Sequence, residues 1–568
     1  MQFLHKLKSF SKENISFADI IFLITLFAVG GFNEFVSCLL SVAFSVYLFV
    51  KILKNKNLRI KINLMSISVA VIVLFYGISA LWAIDSGMAF IGFLKFLPLI
   101  LYLISLWQTN KAHIALDVLA YVGAIMALIS AVASFIPGIK NLFLVSERLS
   151  GFFQYPNTFA LFLLVCELLI ISKTKFKIID YISLAILIGG LLYTGSRTTF
   201  LLFVVSNFIT VLLNANKKLK FTIIIGALSV LTVVFIIAFF GPHGNVFSRY
   251  LKFGLTESTF IGRLLYLADA LPLIIKYPFG MGYMGYHFIQ GSIQTGVYNV
   301  AYAHNEFLQI FLDIGIIPAL LFIAAIVRFL LKKHISVSRK IMVAVICLHS
   351  LLDFNLQFIG MFMLLLLLCE DPSDKQIVLE KSLVFKIIAT LLALINLYMA
   401  AALGLAHFGA REVAHSLFPY NTRNTLNMLG DEENIDRSNE LADIILNQNQ
   451  YYYAPFSAKA KYAYSEGDFV KVFENKHAAF ERMPFRYTEY EEYCIMLING
   501  ISAYEKMGDN VSADICKEEL LSTKKKLESN NQRLSRLGRM IDEQPNTQLA
   551  RDVLHYIENL EQVQDNEY

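Results

Sequence analysis

NEFVSCLLSVAFSVYLFVKILKNKNLRIKINLMSISVAVIVLFYGISALW, residues 33–82, sets two apolar runs around a basic break. Each run, near 35–53 and 64–82, approaches the roughly 20 residues that a helix needs to cross a hydrocarbon core. The break carries Lys51, Lys54, Lys56, Arg59 and Lys61, and basic residues in a short loop hold the cytoplasmic side during insertion. One fragment therefore predicts two spans and the side of the loop that joins them. The same grammar continues in both directions, with further runs near 17–31, 89–107, 113–136, 157–171, 178–194, 198–213, 221–240, 307–331, 341–355, 357–369 and 383–405. The expectation is an all-α, polytopic membrane protein of about 12–13 transmembrane helices.

Composition agrees with this. Of 568 residues, 56% are hydrophobic and only 16% charged, with 47 Phe, far too apolar for a water-soluble chain of this length. The net charge of +5 is spread over loops rather than gathered into a patch, so nothing points to nucleic acid. The six cysteines, Cys38, Cys166, Cys347, Cys369, Cys494 and Cys516, form no CxxC pair, and neither a zinc site nor a disulfide framework is expected. Lys6, Lys8 and Lys12 precede the first apolar run with no small-residue cleavage site after it, which reads as a retained first helix.

Orientation follows from the loops. Besides 51–61, the clusters Lys173, Lys175 and Lys177, then Lys217, Lys218 and Lys220, then Lys332, Lys333, Arg339 and Lys340 all fall on one side. The opposite, extracytoplasmic side then receives 137–156, 195–197 and 241–306, and an odd helix count also places the tail there. The expected division is a membrane domain over 1–405, with an outer loop at 241–306, and a soluble helical domain over 406–568. In the tail, AKYAYSEGD (460–468) and ISAYEKMGD (501–509) each end an aromatic helix in a Gly-Asp turn. They resemble tetratricopeptide helix pairs at a spacing longer than the ~34 residues of that repeat.

The outer side holds polar residues that lipid tolerates poorly. Arg148 ends an outer loop just before a helix expected to be capped near Asn157. Arg197 sits in the tight hairpin TGSRTT, and Arg263 opens an apolar helix, with Arg249 as an alternative to it. Snorkelling to headgroups accounts for any one of these, whereas three on one face suit a phosphate, which a guanidinium binds as a planar fork. His304 closes the long loop where a spanning helix begins, followed by Asn305 and Gln309. An imidazole there is suited to general-base work, against the plainer role of capping the helix. His349 and Asp353 stand at i, i+4, expected on one face of a spanning helix and paired with neighbouring helices. The chain contains neither GxxxxGK[ST], so ATP hydrolysis is unsupported, nor a DxD or clustered outer carboxylates of the kind that hold Mg²⁺. No metal and no cofactor are expected.

Taken in order, RLSGFFQYPNTFA (148–160), LYTGSRTTFLLF (192–203), GRLLYLADALPLIIKYPFGMGY (262–283), AHNEFLQIFLDIGIIP (303–318) and HSLLDFNLQF (349–358) resemble the O-antigen ligase and polymerase superfamily, which includes bacterial protein O-oligosaccharyltransferases. The resemblance implies a GT-C-like, metal-independent, inverting transferase of the cytoplasmic membrane that moves a glycan from a polyprenyl (undecaprenyl) diphosphate carrier to a glycan, lipid or protein acceptor. His304 would be its base. Arg148, Arg197 and Arg263 would hold the diphosphate, and Asn157, Asn305, Gln309, His349 and Asp353 would support them. The helical tail would dock a protein or polymer partner. Two rival readings are a transporter of lipid-linked glycan, which needs polar residues along the bilayer midplane, and a membrane-anchored scaffold acting through its tail.

Overall fold

The computed structural model describes residues 16–109, 114–213, 246, 249–250, 254 and 257–566. The expected span at 221–240 and the lysines at 6–12 and 217–220 lie outside these residues. The described chain is almost wholly helical, its strands being two short antiparallel pairs. Among the described residues, five helices are long and apolar enough to cross a membrane by length and composition: Glu34–Asn55, Ser86–Trp107, Ala115–Ala133, Ser258–Lys276 and Ser382–His407. Shorter apolar helices include Phe17–Phe27, Leu64–Ser79, Pro156–Ile171, Ile178–Tyr193, Arg197–Leu213, Ile316–Leu331 and Ile359–Cys369. The protein is an all-α membrane protein.

The chain divides into two compact units. The first comprises 1–78, 91–254 and 304–404, and the second 79–90, 255–303 and 405–568. At the centre of the first lies Ile359–Cys369, whose eleven residues are all buried. A helix that is apolar all round is stable only where other helices surround it. Phe153 and Phe358 lie near Gly30, in the bend that ends Phe17–Phe27, where a Cβ would come within 2.6 Å of the Phe153 ring. Gly30 and Gly31 both have positive φ, 59° and 75°, so this close turn between the first two apolar helices requires glycine.

Two of the loops that the basic residues assign to one side, 51–61 and 332–340, are bound to the segment 370–379 within this unit. Strand Leu58–Lys61 pairs antiparallel with Gln376–Leu379. Lys61 pairs with Glu370, Lys332 Nζ lies 2.6 Å from Asp371, and the Gln108 amide donates to the Arg59 carbonyl at 2.8 Å. Lys332, Ser373 and His334 together hold the Asp371 carboxyl well below the usual range, although its burial acts the other way.

Three expectations are corrected. The run at 307–331 is two helices, Glu306–Ile314 and Ile316–Leu331, broken at Gly315 (φ 87°, ψ −173°), a conformation essentially restricted to glycine. The run at 341–355 stops at Ser350, so Asp353 does not share a helical face with His349; the Asp-Phe-Asn turn has already left the helix. Finally, the 241–306 segment is not only loop, since it contains the candidate span Ser258–Lys276, apolar enough but with Asp269 accepting bonds from Thr295 and Tyr298.

In the second unit, helices Thr422–Asp431, Ile435–Gln448, Ala454–Ser465, Phe469–Arg482, Tyr487–Met507 and Asn510–Ser529 run as successive hairpins. The two Gly-Asp turns are built alike. Gly467 and Gly508 have φ of 74° and 76°, the following N–H reaches back to Ala463 O and Tyr504 O, respectively, and the Asp468 and Asp509 carboxylates cap the next helix, both at 3.1 Å. One sequence signal thus ends one helix and starts the next. Residues 79–90 and 255–303 are built into this unit. A Cβ on Gly87 would overlap Tyr420 O, one on Gly291 Arg482 O, and one on Gly538 Thr295 O.

Candidate active site

In the first unit the chain reverses at Ser146 and Glu147, both with positive φ (49° and 63°), as a two-residue hairpin turn requires, and this delivers Arg148. The Arg148 Nε donates to Thr194 O at 2.7 Å and Nη2 to Asn157 Oδ1 at 2.6 Å. Asn157 is not the helix cap: Pro156–Ile171 is preceded by Tyr155, and Asn157 occupies the first turn. From there its amide donates to Asp353 Oδ2 at 2.8 Å. Asp353 also accepts from the Tyr155 hydroxyl at 2.8 Å and from Phe354 N at 3.0 Å. Its Oδ1 lies 3.4 Å from His304 Nδ1. Guanidinium, amide, carboxylate and imidazole thus form one connected set.

His304 itself has φ 49°, unusual for a residue with a Cβ and a mark of a functionally constrained position. Its ring meets Phe354 edge-on, centroids 5.1 Å apart. Asn305 caps the next helix by accepting from Leu308 N at 3.0 Å, which fixes the backbone immediately after the imidazole. His304 Nδ1 is turned toward the Asp353 carboxylate, an arrangement that sets the orientation of an imidazole.

A second guanidinium stands beside Arg148. Gly195 (φ 61°) separates them, its side-chain position lying 3.5 Å from both Arg148 Nε and Arg249 Cδ. Burial, reinforced by the like charge of Arg249, pulls the Arg148 guanidinium down to about 10. Tyr250, next in sequence, donates to Leu192 O at 2.9 Å. Arg197 opens the helix that follows this turn. Arg263 lies on Ser258–Lys276, in the second unit, where its charge acts on Tyr266. Two adjacent cations make a place where an anion is favoured.

The remaining sequence-selected residues lie deeper. His349 Nε2 meets Thr199 Oγ1 and its Nδ1 meets the Asn355 amide, each at 2.9 Å, joining Val337–Ser350 to Arg197–Leu213. Gln309 donates to Asp313 at 2.8 Å. Asp313 also accepts from Tyr76 OH at 2.9 Å, Glu306 accepts from Leu356 N and the Gln357 amide, and the charge of fully buried Lys95 acts on both carboxylates. Sequence reasoning missed this buried group, although a lysine inside the run at 89–107 is its plain signal. It also passed over Tyr155, which lies inside a segment it had singled out.

Residues 182–323 match the family model described as O-antigen ligase. This match, covering a quarter of the chain, supports membership of the O-antigen ligase superfamily. No curated protein and no solved structure matches it. The O-antigen ligase segment takes in Arg197, Arg249, Arg263 and His304, whereas Arg148 and Asn157 precede it and Asp353 follows it. The Arg148–Thr194 hydrogen bond and the close approach of His304 to Asp353 therefore join residues inside the family segment to residues on either side.

Proposed function

We propose that this protein acts in surface polysaccharide assembly, as a ligase or polymerase that transfers a glycan from a polyprenyl diphosphate carrier to an acceptor hydroxyl at the outer face of the bacterial cytoplasmic membrane. The observation that carries the reading is the chain of contacts from His304 through Asp353 and Asn157 to Arg148, with Arg249 alongside. Transfer requires a base for the acceptor proton and positive charge for the departing diphosphate, and this set supplies both. The acceptor oxygen attacks the anomeric carbon as the bond to the diphosphate oxygen breaks, inverting that centre. His304 Nε2 takes the acceptor proton, and Asp353 stabilises the imidazolium that forms. Arg148 and Arg249 take up the charge on the diphosphate, with Arg197 as a further cation for the carrier. The soluble tail, read as tetratricopeptide-like, lies on the same outer side and docks a partner.

The transporter reading is disfavoured because Arg148, Asn157, Asp353 and His304 form one connected set with Arg249 alongside, and the scaffold reading leaves that set without a role. The test is an in vitro reaction of purified protein with undecaprenyl diphosphate glycan and candidate acceptors. Turnover should survive a chelator and collapse in His304→Ala; full activity in that variant, or strict dependence on added metal, overturns the mechanism.

A further inference from the structure

Within the second unit, helix Gly285–Ile293 and the hairpins of the tail enclose a cavity of about 540 Å³, a size typical of small-molecule sites. Its lining is not that of a peptide groove. Tyr452 and Tyr453 present half-buried rings, and His287 lies against Tyr452 with ring centroids 5.9 Å apart. Around them stand Arg423, Asn427 and Lys461, with Glu432, Glu433 and Glu489. Charges of both signs face the cavity, so neither a polyanion nor a basic peptide is selected. Leu426, Leu429, Ile435, Ala454 and Ala458 complete the lining beside these polar groups.

The polar groups are fixed in place. Gln290 donates to Val300 O at 2.6 Å and accepts from Val300 N at 2.9 Å, while His287 Nδ1 lies 3.1 Å from the same Val300 O. A neutral His287 that donates from Nδ1 keeps Nε2 as an acceptor. Burial, with the nearby charge of Arg423, lowers the imidazole below its ordinary value and so favours this form. Arg486 lies over the Tyr453 ring, 4.6 Å from its centroid, and holds that ring from behind. Rigid aromatic faces beside planar amide, guanidinium and carboxylate groups match a ring with apolar C–H faces and a rim of hydroxyls.

We propose that this cavity binds a short run of saccharide, the polymer portion of donor or acceptor, independently of the diphosphate. The inference rests on the glycan-transfer reading above. Its probe is the carrier-free oligosaccharide released by mild acid from the undecaprenyl diphosphate glycan, titrated calorimetrically into the full-length protein in nanodiscs. Wild type should bind saturably, Tyr452→Ala and Arg423→Ala should each weaken binding about tenfold, and Tyr452→Phe should retain it. Lys461→Ala, at an exposed position, should weaken binding about threefold with an unchanged unfolding midpoint, which separates ligand loss from misfolding. His304→Ala should bind as wild type. Absence of saturable binding, wild-type affinity in both Tyr452→Ala and Lys461→Ala, or loss of binding in His304→Ala would each overturn the proposal. Glycan transfer measured in parallel keeps the two readings apart: transfer without saccharide binding removes this site alone, and binding without transfer removes only the catalytic reading.

Discussion

Replacing Asp353 by Asn is the most informative single change at the candidate active site. The carboxylate is buried and accepts from Tyr155, Asn157 and Phe354 N while facing His304 Nδ1 at 3.4 Å. An amide keeps the shape but has only one acceptor oxygen. Either orientation sets an NH₂ against a donor, Asn157 in one case and Phe354 N in the other, at about 1–3 kcal/mol. The larger effect is on chemistry. A unit charge 3.4 Å from an imidazolium is worth about 5 kcal/mol at an effective dielectric constant of about 20. His304 is about a fifth exposed, so screening lowers this, and a fall in kcat of the order of 10²–10³-fold is expected. Tyr155→Phe removes one donor and leaves the charge, so its effect should stay below about tenfold. Single-turnover rates for both variants, with thermal unfolding as a check on folding, test the ranking. Asp353→Asn at a rate near wild type would refute the assignment of His304 as a base oriented by Asp353.

Gly315→Ala should destabilise the protein by about 1–3 kcal/mol, read as a lowered unfolding midpoint in detergent, because alanine must abandon the φ and ψ that break the helix there. Lys95→Met should lower the same midpoint, by about 1–3 kcal/mol, since it removes the buried charge that acts on Glu306 and Asp313. The Asp371 carboxyl is held low in the folded state, so its contribution to stability is full above the unfolded value of about 4 and is lost as pH falls below it toward the folded value. Unfolding midpoints measured from pH 6 downward should therefore drop, and Lys332→Met should flatten that drop by removing the bond at 2.6 Å.

Apolar runs and basic loops made most of the helices and the grouping of loops legible, because insertion into lipid acts on those same features. The site was legible as a set of residue types, since a buried or boundary charge is costly enough to stand out. What could not be read was which of them meet. Asp353 looked like a partner of His349 by spacing alone, and only the helix end at Ser350 turns it toward His304. Arg263 was the expected third cation and Arg249 only its alternative. The hairpin geometry around Gly195 brings Arg249 beside Arg148, while Arg263 belongs to the second unit. The cavity near Tyr452 had no sequence signal, since its walls come from segments more than a hundred residues apart.

Lys61 and Lys332 in the basic loops are met differently from Arg148 at the candidate site, and the difference bears on the proposed function. Each lysine meets a carboxylate, Glu370 or Asp371, so the positive charge that guides insertion is neutralised once the helices have packed. Arg148 is satisfied by the neutral oxygens of Thr194 and Asn157 and stands against Arg249. The nearest carboxylate in that set, Asp353, is turned to the imidazole through Oδ1 and reaches Arg148 only through Asn157. An amide placed between carboxylate and guanidinium passes on position without cancelling charge. Packing that served stability alone would close Asp353 directly onto Arg148 as a fork-to-fork pair. Keeping them apart preserves a positive field for an anionic substrate and a negative one for a base that must become charged, the two requirements of transfer from a diphosphate.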